Sequence, residues 1–129
     1  MTRFVGLVSL SFVLMLQVAN SDEIRRAAFA DGLLGKWVPA TEQCEAQNKS
    51  ALIVSGSKYE HGGESCSVRW IVETAGAEGA NYSVHASCVD RSEPPKATIT
   101  DLIIRLQNGD RISVGSSFTE LKTFNRCPK

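Results

Sequence analysis

The residues of this chain best equipped for chemistry are four cysteines, two histidines and a scatter of serines and carboxylates. Cys44, Cys66, Cys88 and Cys127 form no CxxC pair, and His61 and His85 form no HExxH, so the spacing of a zinc site is missing. Thiols spread this widely in an exported chain are expected as two disulfides, not as metal ligands or a nucleophile. No GxSxG elbow is present, and neither histidine has an obvious orienting carboxylate nearby in sequence. Glu60 and Glu64 flank His61-Gly62-Gly63, where a solvated glycine-rich loop accounts for them better than a glycosidase pair. Gly76 and Gly79 lack the strand–glycine loop–helix setting of a phosphate site. The expectation is no catalysis, no metal and no cofactor.

The compartment is read from the other end of the chain. Met1 to Ser21 has the form of a secretory signal, with Arg3 as its positive start and Val5 to Val18 as its apolar stretch. Ala19-Asn20-Ser21 then offers small residues for a signal peptidase. A membrane span needs about 20 apolar residues, more than this stretch supplies. The expected mature chain starts near Asp22, is periplasmic or secreted, and keeps no membrane span. Removing 21 residues from 129 leaves 108, enough for one small domain. Arg3 departs with the signal, so 13 basic residues face 14 acidic ones. That balance offers neither the basic stripe of a nucleic-acid binder nor an electrostatic hold on a membrane.

Residues 22–34 are expected to form a short helix or an arm, because DEIRRAAFA opens with acids and ends at Asp31-Gly32. Residues 35–129 then read as one disulfide-bridged β domain. Strand-like runs cover Lys36–Val38, Ala51–Tyr59, Ser65–Glu73, Ala80–Val89, Lys96–Leu106, Arg111–Gly115 and Leu121–Arg126. Asn108-Gly109 signals a hairpin with a type I′ turn. A second hairpin joins Ser65–Glu73 to Ala80–Val89. If Cys66 faces Cys88 there, Val68 meets Ala86, Trp70 meets Val84 and Val72 meets Tyr82. All the apolar side chains then share one face, with Arg69 and His85 on the other, and a one-residue slip would scramble this. The register therefore pairs Cys66 with Cys88, which leaves Cys44 for Cys127. Tying the first strand region to the last points to a small antiparallel barrel or sandwich of about seven strands with few exposed edges. Trp70 is expected inside, and Trp37 at one barrel end. Glu93-Pro94-Pro95 reads as a stiff connection. Asn48-Lys49-Ser50 and Asn81-Tyr82-Ser83 match the glycosylation sequon.

One string remains, Ser55-Gly56-Ser57-Lys58-Tyr59. It resembles the SGxxY motif of bacterial periplasmic and membrane-bound inhibitors of c-type lysozyme, which are small disulfide-containing β-barrels. In that family the motif loop enters the lysozyme cleft, so the resemblance implies a contact through Ser55, Gly56 and Tyr59. Lys58, on the same segment, has the charge to reach the cleft's carboxylates. The family's second motif, a Tyr followed by Lys-Gly, has no counterpart, and Phe118 to Lys122 is the nearest stretch. The wider layout is similar to small exported four-cysteine β proteins of Gram-negative bacteria. That pattern is carried by Gly35-Lys36-Trp37, an early cysteine and a late Arg126-Cys127. The expected function is non-enzymatic binding by an exported protein, in its sharpest form inhibition of c-type lysozyme. A small carrier of an apolar ligand is the alternative, and a small hydrolase comes last.

Overall fold

A computed structural model describes residues 23–77, 79–90 and 94–129 of the chain. The signal-like segment and Glu93 of the Glu93-Pro94-Pro95 connection lie outside the described residues. Among the described residues nine strands follow one another: β1 (Ile24–Arg26), β2 (Gly35–Pro39), β3 (Leu52–Ser55), β4 (Lys58–His61), β5 (Glu64–Ala75), β6 (Ala80–Val89), β7 (Ala97–Asn108), β8 (Arg111–Gly115) and β9 (Lys122–Arg126). Strands β2 to β9 pair antiparallel around a ring that the β2–β9 ladder closes. The result is an eight-stranded barrel, to which β1 adds along the second half of β5. An eight-stranded barrel has an interior just wide enough for side chains to fill. Here Trp37, Leu52, Ile71, Val84, Ile104 and Ile112 fill it, all of them essentially without solvent contact.

The strand count exceeds seven for two reasons. Ala51–Tyr59 divides at Gly56, whose φ of 55° turns the chain back so that Ser55 pairs with Lys58. The expected N-terminal helix is absent, and β1 stands in its place, followed by a 3-10 turn over Asp31–Leu33. So short a helix is marginal in water. Extended backbone instead gains ladder bonds on the stretch of β5 that β4 is too short to cover. Phe29 and Leu33 then turn inward and join the core.

Both expected disulfides are present, Cys66–Cys88 and Cys44–Cys127. The second spans 83 residues and bounds a small outer cluster of Val38, Ala51 and Cys127. Two bridges of this kind belong to an oxidising compartment. In the chain-entropy view the shorter loop contributes about 3 kcal/mol and the longer one about 4–5.

The β5–β6 hairpin keeps the expected register only from Ser65↔Val89 to Val68↔Ala86. A bulge then inserts Arg69, and the ladder resumes as Trp70↔His85 and Ile71↔Val84. Trp70 and Val72 therefore lose their expected inward positions, and Ile71 takes the core. The reason is volume, because the interior already holds Trp37, Tyr59, Tyr82 and Phe124. The Asn108 hairpin forms as expected, but its loop is Gly109-Asp110 and no I′ turn is made. Asn108 instead accepts the Asp110 amide on its own side chain at 2.9 Å, an Asx turn that needs no positive φ.

Arg126, at the end of β9, holds one end of the barrel together. Its guanidinium lies 4.2 Å from the centre of the Trp37 ring. It donates to the carbonyls of Leu34 at 2.8 Å and Gly109 at 3.1 Å, and to that of Gly32. Replacing Arg126 with Ala is expected to cost about 3 kcal/mol, since several charge-assisted bonds and a ring contact go together. Lysine should restore less than half of that, because it lacks the planar fork. Urea unfolding of the two variants measures both effects, and equal stability of Arg126→Ala and the parent would refute the clamp.

Candidate functional site

The SGxxY string is the turn between β3 and β4. Gly56 and Ser57 form a two-residue loop with positive φ at the glycine alone, the geometry of a type II′ hairpin. Both loop carbonyls are taken from below. Gly56 accepts the Phe29 amide at 2.9 Å, and Ser57 accepts the Val68 amide at 2.8 Å. The turn is thus fixed at both residues by the N-terminal segment and by β5.

The motif divides between surface and core. Ser55, Gly56, Ser57 and Lys58 are exposed. Tyr59 is 2% exposed, packs edge-on against Phe29 with ring centres 6.1 Å apart, and brings its hydroxyl to 3.7 Å from Cys88 Sγ. Its ring supports the turn from inside and offers no surface to a partner. Burial, helped by the Glu64 and Asp101 carboxylates, pushes its phenol up to about 12. Lys58 has no ionic or hydrogen-bonded partner among the described residues. Its side chain shares the outer face with Ser55, Ser67 and Ser87 along one ladder row. The next row places Ile53, Glu60, Ser65 and Val89 side by side, with Ile53 and Val89 well exposed. These residues line a shallow cleft of about 510 Å³ beside the hairpin. The cleft thus sets one cation, Lys58, among serine hydroxyls and the exposed Ile53 and Val89 side chains.

The histidines lie in different surroundings. His61 points into a barrel mouth, edge-on to Phe124 at 6.0 Å, in an open cleft of about 740 Å³ shared with Glu42, Ser50 and Glu120. Burial lowers its pKa, with Glu64 acting weakly the other way. The Glu60–Glu64 stretch is no loose loop; Gly62 and Gly63, with φ of 59° and 83°, make a tight I′ hairpin. His85 is on the outer face and bonds Asp101 Oδ1 through Nδ1 at 2.8 Å. That carboxylate is not legible in the sequence, because it reaches His85 only through the β6–β7 ladder. A histidine–carboxylate pair resembles two-thirds of a hydrolytic triad, but no hydroxyl or thiol bonds His85 among the described residues, and its ring stacks on Trp70. Glu64, Cys66 and Cys88 cluster closely, yet both sulfurs belong to the disulfide and offer no thiolate to a metal. The two sequon amides are also engaged: Asn48 braces the Glu42–Glu45 turn and Asn81 accepts from Arg105.

Comparison with protein-family models, with curated proteins and with solved structures returns no match.

The titration of Tyr59 is a direct check on the geometry of the site. A phenol raised in the folded state adds stability that is complete below pH 10 and is lost as pH rises through about 12. The loss should reach on the order of 2–3 kcal/mol and should shrink in Tyr59→Phe. Unfolding midpoints measured across pH 9–12 test it, and parallel curves for the two proteins would show that Tyr59 is not buried. The acid side has the opposite sign. His61, lowered by burial, adds stability that is present above its ordinary range and is lost as pH falls, and His61→Gln should flatten that limb.

Proposed function

We propose that the chain is an exported, non-enzymatic binding protein that meets a protein partner through the β3–β4 hairpin. The observation that carries this reading is an exposed, unpaired Lys58 on a turn whose backbone is fixed from below. A contact loop ordered before binding costs little further entropy when it docks, so its interactions count almost fully toward affinity. An unsatisfied ammonium at the tip adds a charge-assisted bond to any carboxylate it meets.

The sharper form is inhibition of a c-type lysozyme. The Ser55-Gly56-x-x-Tyr59 string supports it, as do the closed disulfide-bridged barrel and the position of Lys58 next to the turn. In this reading Ser55, Gly56 and Lys58 make the contact, and Tyr59 acts as a positioning residue from within the core. The enzyme's carboxylates receive the Lys58 ammonium, which blocks their access to substrate. A carrier of an apolar ligand would need an internal cavity, and the barrel axis is occupied by Trp37, Ile71, Ile104 and Ile112. A protein partner also agrees with a chain whose charges nearly balance. Among the described residues no helix is long and apolar enough to cross a membrane.

Lysis of bacterial cell walls by c-type lysozyme, titrated with the oxidised protein, is the test. Stoichiometric inhibition is expected, with at least about a tenfold loss in Lys58→Glu, the size of one charged contact reversed. The variant should unfold at the same urea concentration as the parent, because Lys58 has no internal partner. No inhibition at large excess would remove the lysozyme reading.

A further inference from the structure

The bulge at Arg69 does more than correct the core. Two residues of β5, Arg69 and Trp70, stand opposite one residue of β6, His85. A bulge of this kind re-aims side chains, and here it brings a cation and an indole to the same outer patch. The Trp70 ring stacks on His85 with centres 4.6 Å apart and planes 24° from parallel. Arg69 and Arg25 each hold their guanidinium carbon 5.2 Å from the Trp70 ring centre, Arg25 arriving from β1 across the neighbouring ladder. Asp101 on β7 completes the row by bonding His85.

The charges in this patch are unequally used. Asp101 is engaged by His85, while Glu73 lies on the other face of β5 and bonds Arg26 there at 2.6 Å. Arg25 and Arg69 have no carboxylate among the described residues, and both are exposed. Stacking on a ring restrains a guanidinium while leaving its in-plane N–H donors open, which is the arrangement that receives carboxylates in pairs. Ile99, two residues from Asp101 on the same face of β7, is 67% exposed. Trp and Arg at the centre of a patch, beside exposed aliphatic surface, have the composition of a protein-binding hot spot.

We propose that this outer face of β5 to β7 is a second docking surface, and that it takes an acidic protein surface whose carboxylates bind Arg25 and Arg69 around Trp70. The inference rests on the reading of the chain as a binding protein but not on lysozyme as the partner of the hairpin. Charge complementarity commits it to an acidic occupant. The apolar Ile99 and the aromatic centre favour a polypeptide over a bare polyanion, for which a near-neutral chain has little long-range attraction. Trp70, His85 and Asp101 lie side by side on three adjacent strands, an extended row that fits a partner's surface better than a small ligand.

The test is an NMR titration of the isotope-labelled, oxidised protein with a short glutamate-rich peptide carrying leucines. The Trp70 indole N–H and the Arg25 and Arg69 guanidinium signals should shift to saturation, while the Trp37 indole stays still. Arg25→Glu with Arg69→Glu should weaken binding by about a hundredfold, at roughly tenfold for each reversed contact. An unchanged Trp37 signal in that variant shows that it remains folded. Lys58→Glu should bind the peptide as the parent does, which separates failure here from failure of the hairpin reading. Shifts that miss Trp70, or that persist in the double reversal, overturn the proposal. Equal weakening by Lys58→Glu would do so too, since it would mark a response to charge alone. Saturation of the same signals by heparin or inorganic phosphate, with none by the peptide, would assign the patch to a polyanion and also overturn it.

Discussion

The Arg126 guanidinium is the contact on which the rest of the barrel depends. It stacks on Trp37 and donates to carbonyls of the 3-10 turn and of the β7–β8 hairpin. A three-residue turn satisfies only the Asp31 carbonyl from within, through the Leu34 amide, and its later carbonyls need partners from elsewhere. Trp37 returns the favour by donating its indole N–H to the Leu33 carbonyl at 2.9 Å. That fixes the segment carrying Phe29, whose amide in turn holds the Gly56 carbonyl of the exposed hairpin. The chain of contacts runs from the last strand, through the first barrel strand, to the surface turn. Cys127 follows Arg126 directly, and its amide bonds the Lys36 carbonyl at 2.8 Å. The Gly-Lys-Trp and Arg-Cys strings, far apart in sequence, are therefore one physical unit. Gly35 belongs to it as well, since its φ of 122° is closed to other residues.

A second constraint is the capacity of the interior. Eight strands leave room for one indole among several other rings, and Trp37 holds that place. The extra residue at Arg69 resolves the competition by turning Trp70 outward and admitting the smaller Ile71. The cost is a displaced indole that water alone would cover poorly. His85, Arg25 and Arg69 cover it instead, so a packing requirement inside creates a patch of aromatic and cationic groups outside.

How much of this was legible in the sequence follows from what each feature depends on. Strand positions and the Cys66–Cys88 bridge were readable, because alternation and register are local properties of two segments, and Cys44–Cys127 followed by elimination. The bulge was not, because Val68, Trp70 and Val72 alternate without fault and only competition with Trp37 breaks the pattern. Nor was β1, which forms because β5 outruns β4, a fact about strand lengths after folding. The glycine pair at 62 and 63 carried the signal of a tight hairpin that a reading as loose loop passed over. Of the candidate site, Ser55, Gly56 and Lys58 fall on the surface as a contact would require. Tyr59 does not, since the strand alternation that exposes Lys58 buries its neighbour.

In the proposed contact, that division separates the exposed part of the SGxxY string from the part that supports it. A turn of glycine and serine on its own would fluctuate, and ordering it on binding would consume part of the contact energy. Tyr59 opposes that fluctuation by anchoring the strand beneath, beside the Cys66–Cys88 bridge and Phe29. The two loop carbonyls are spent on Phe29 and Val68, so the backbone has few remaining ways to move. What is left free is the side chain of Lys58 and the small hydroxyls around it. The same principle governs the Trp70 patch, where the cations are restrained by an aromatic ring and left without partners. Both surfaces pair a rigid base with an unsatisfied charge, and with the interior filled by side chains it is the outer face of the barrel that carries such groups.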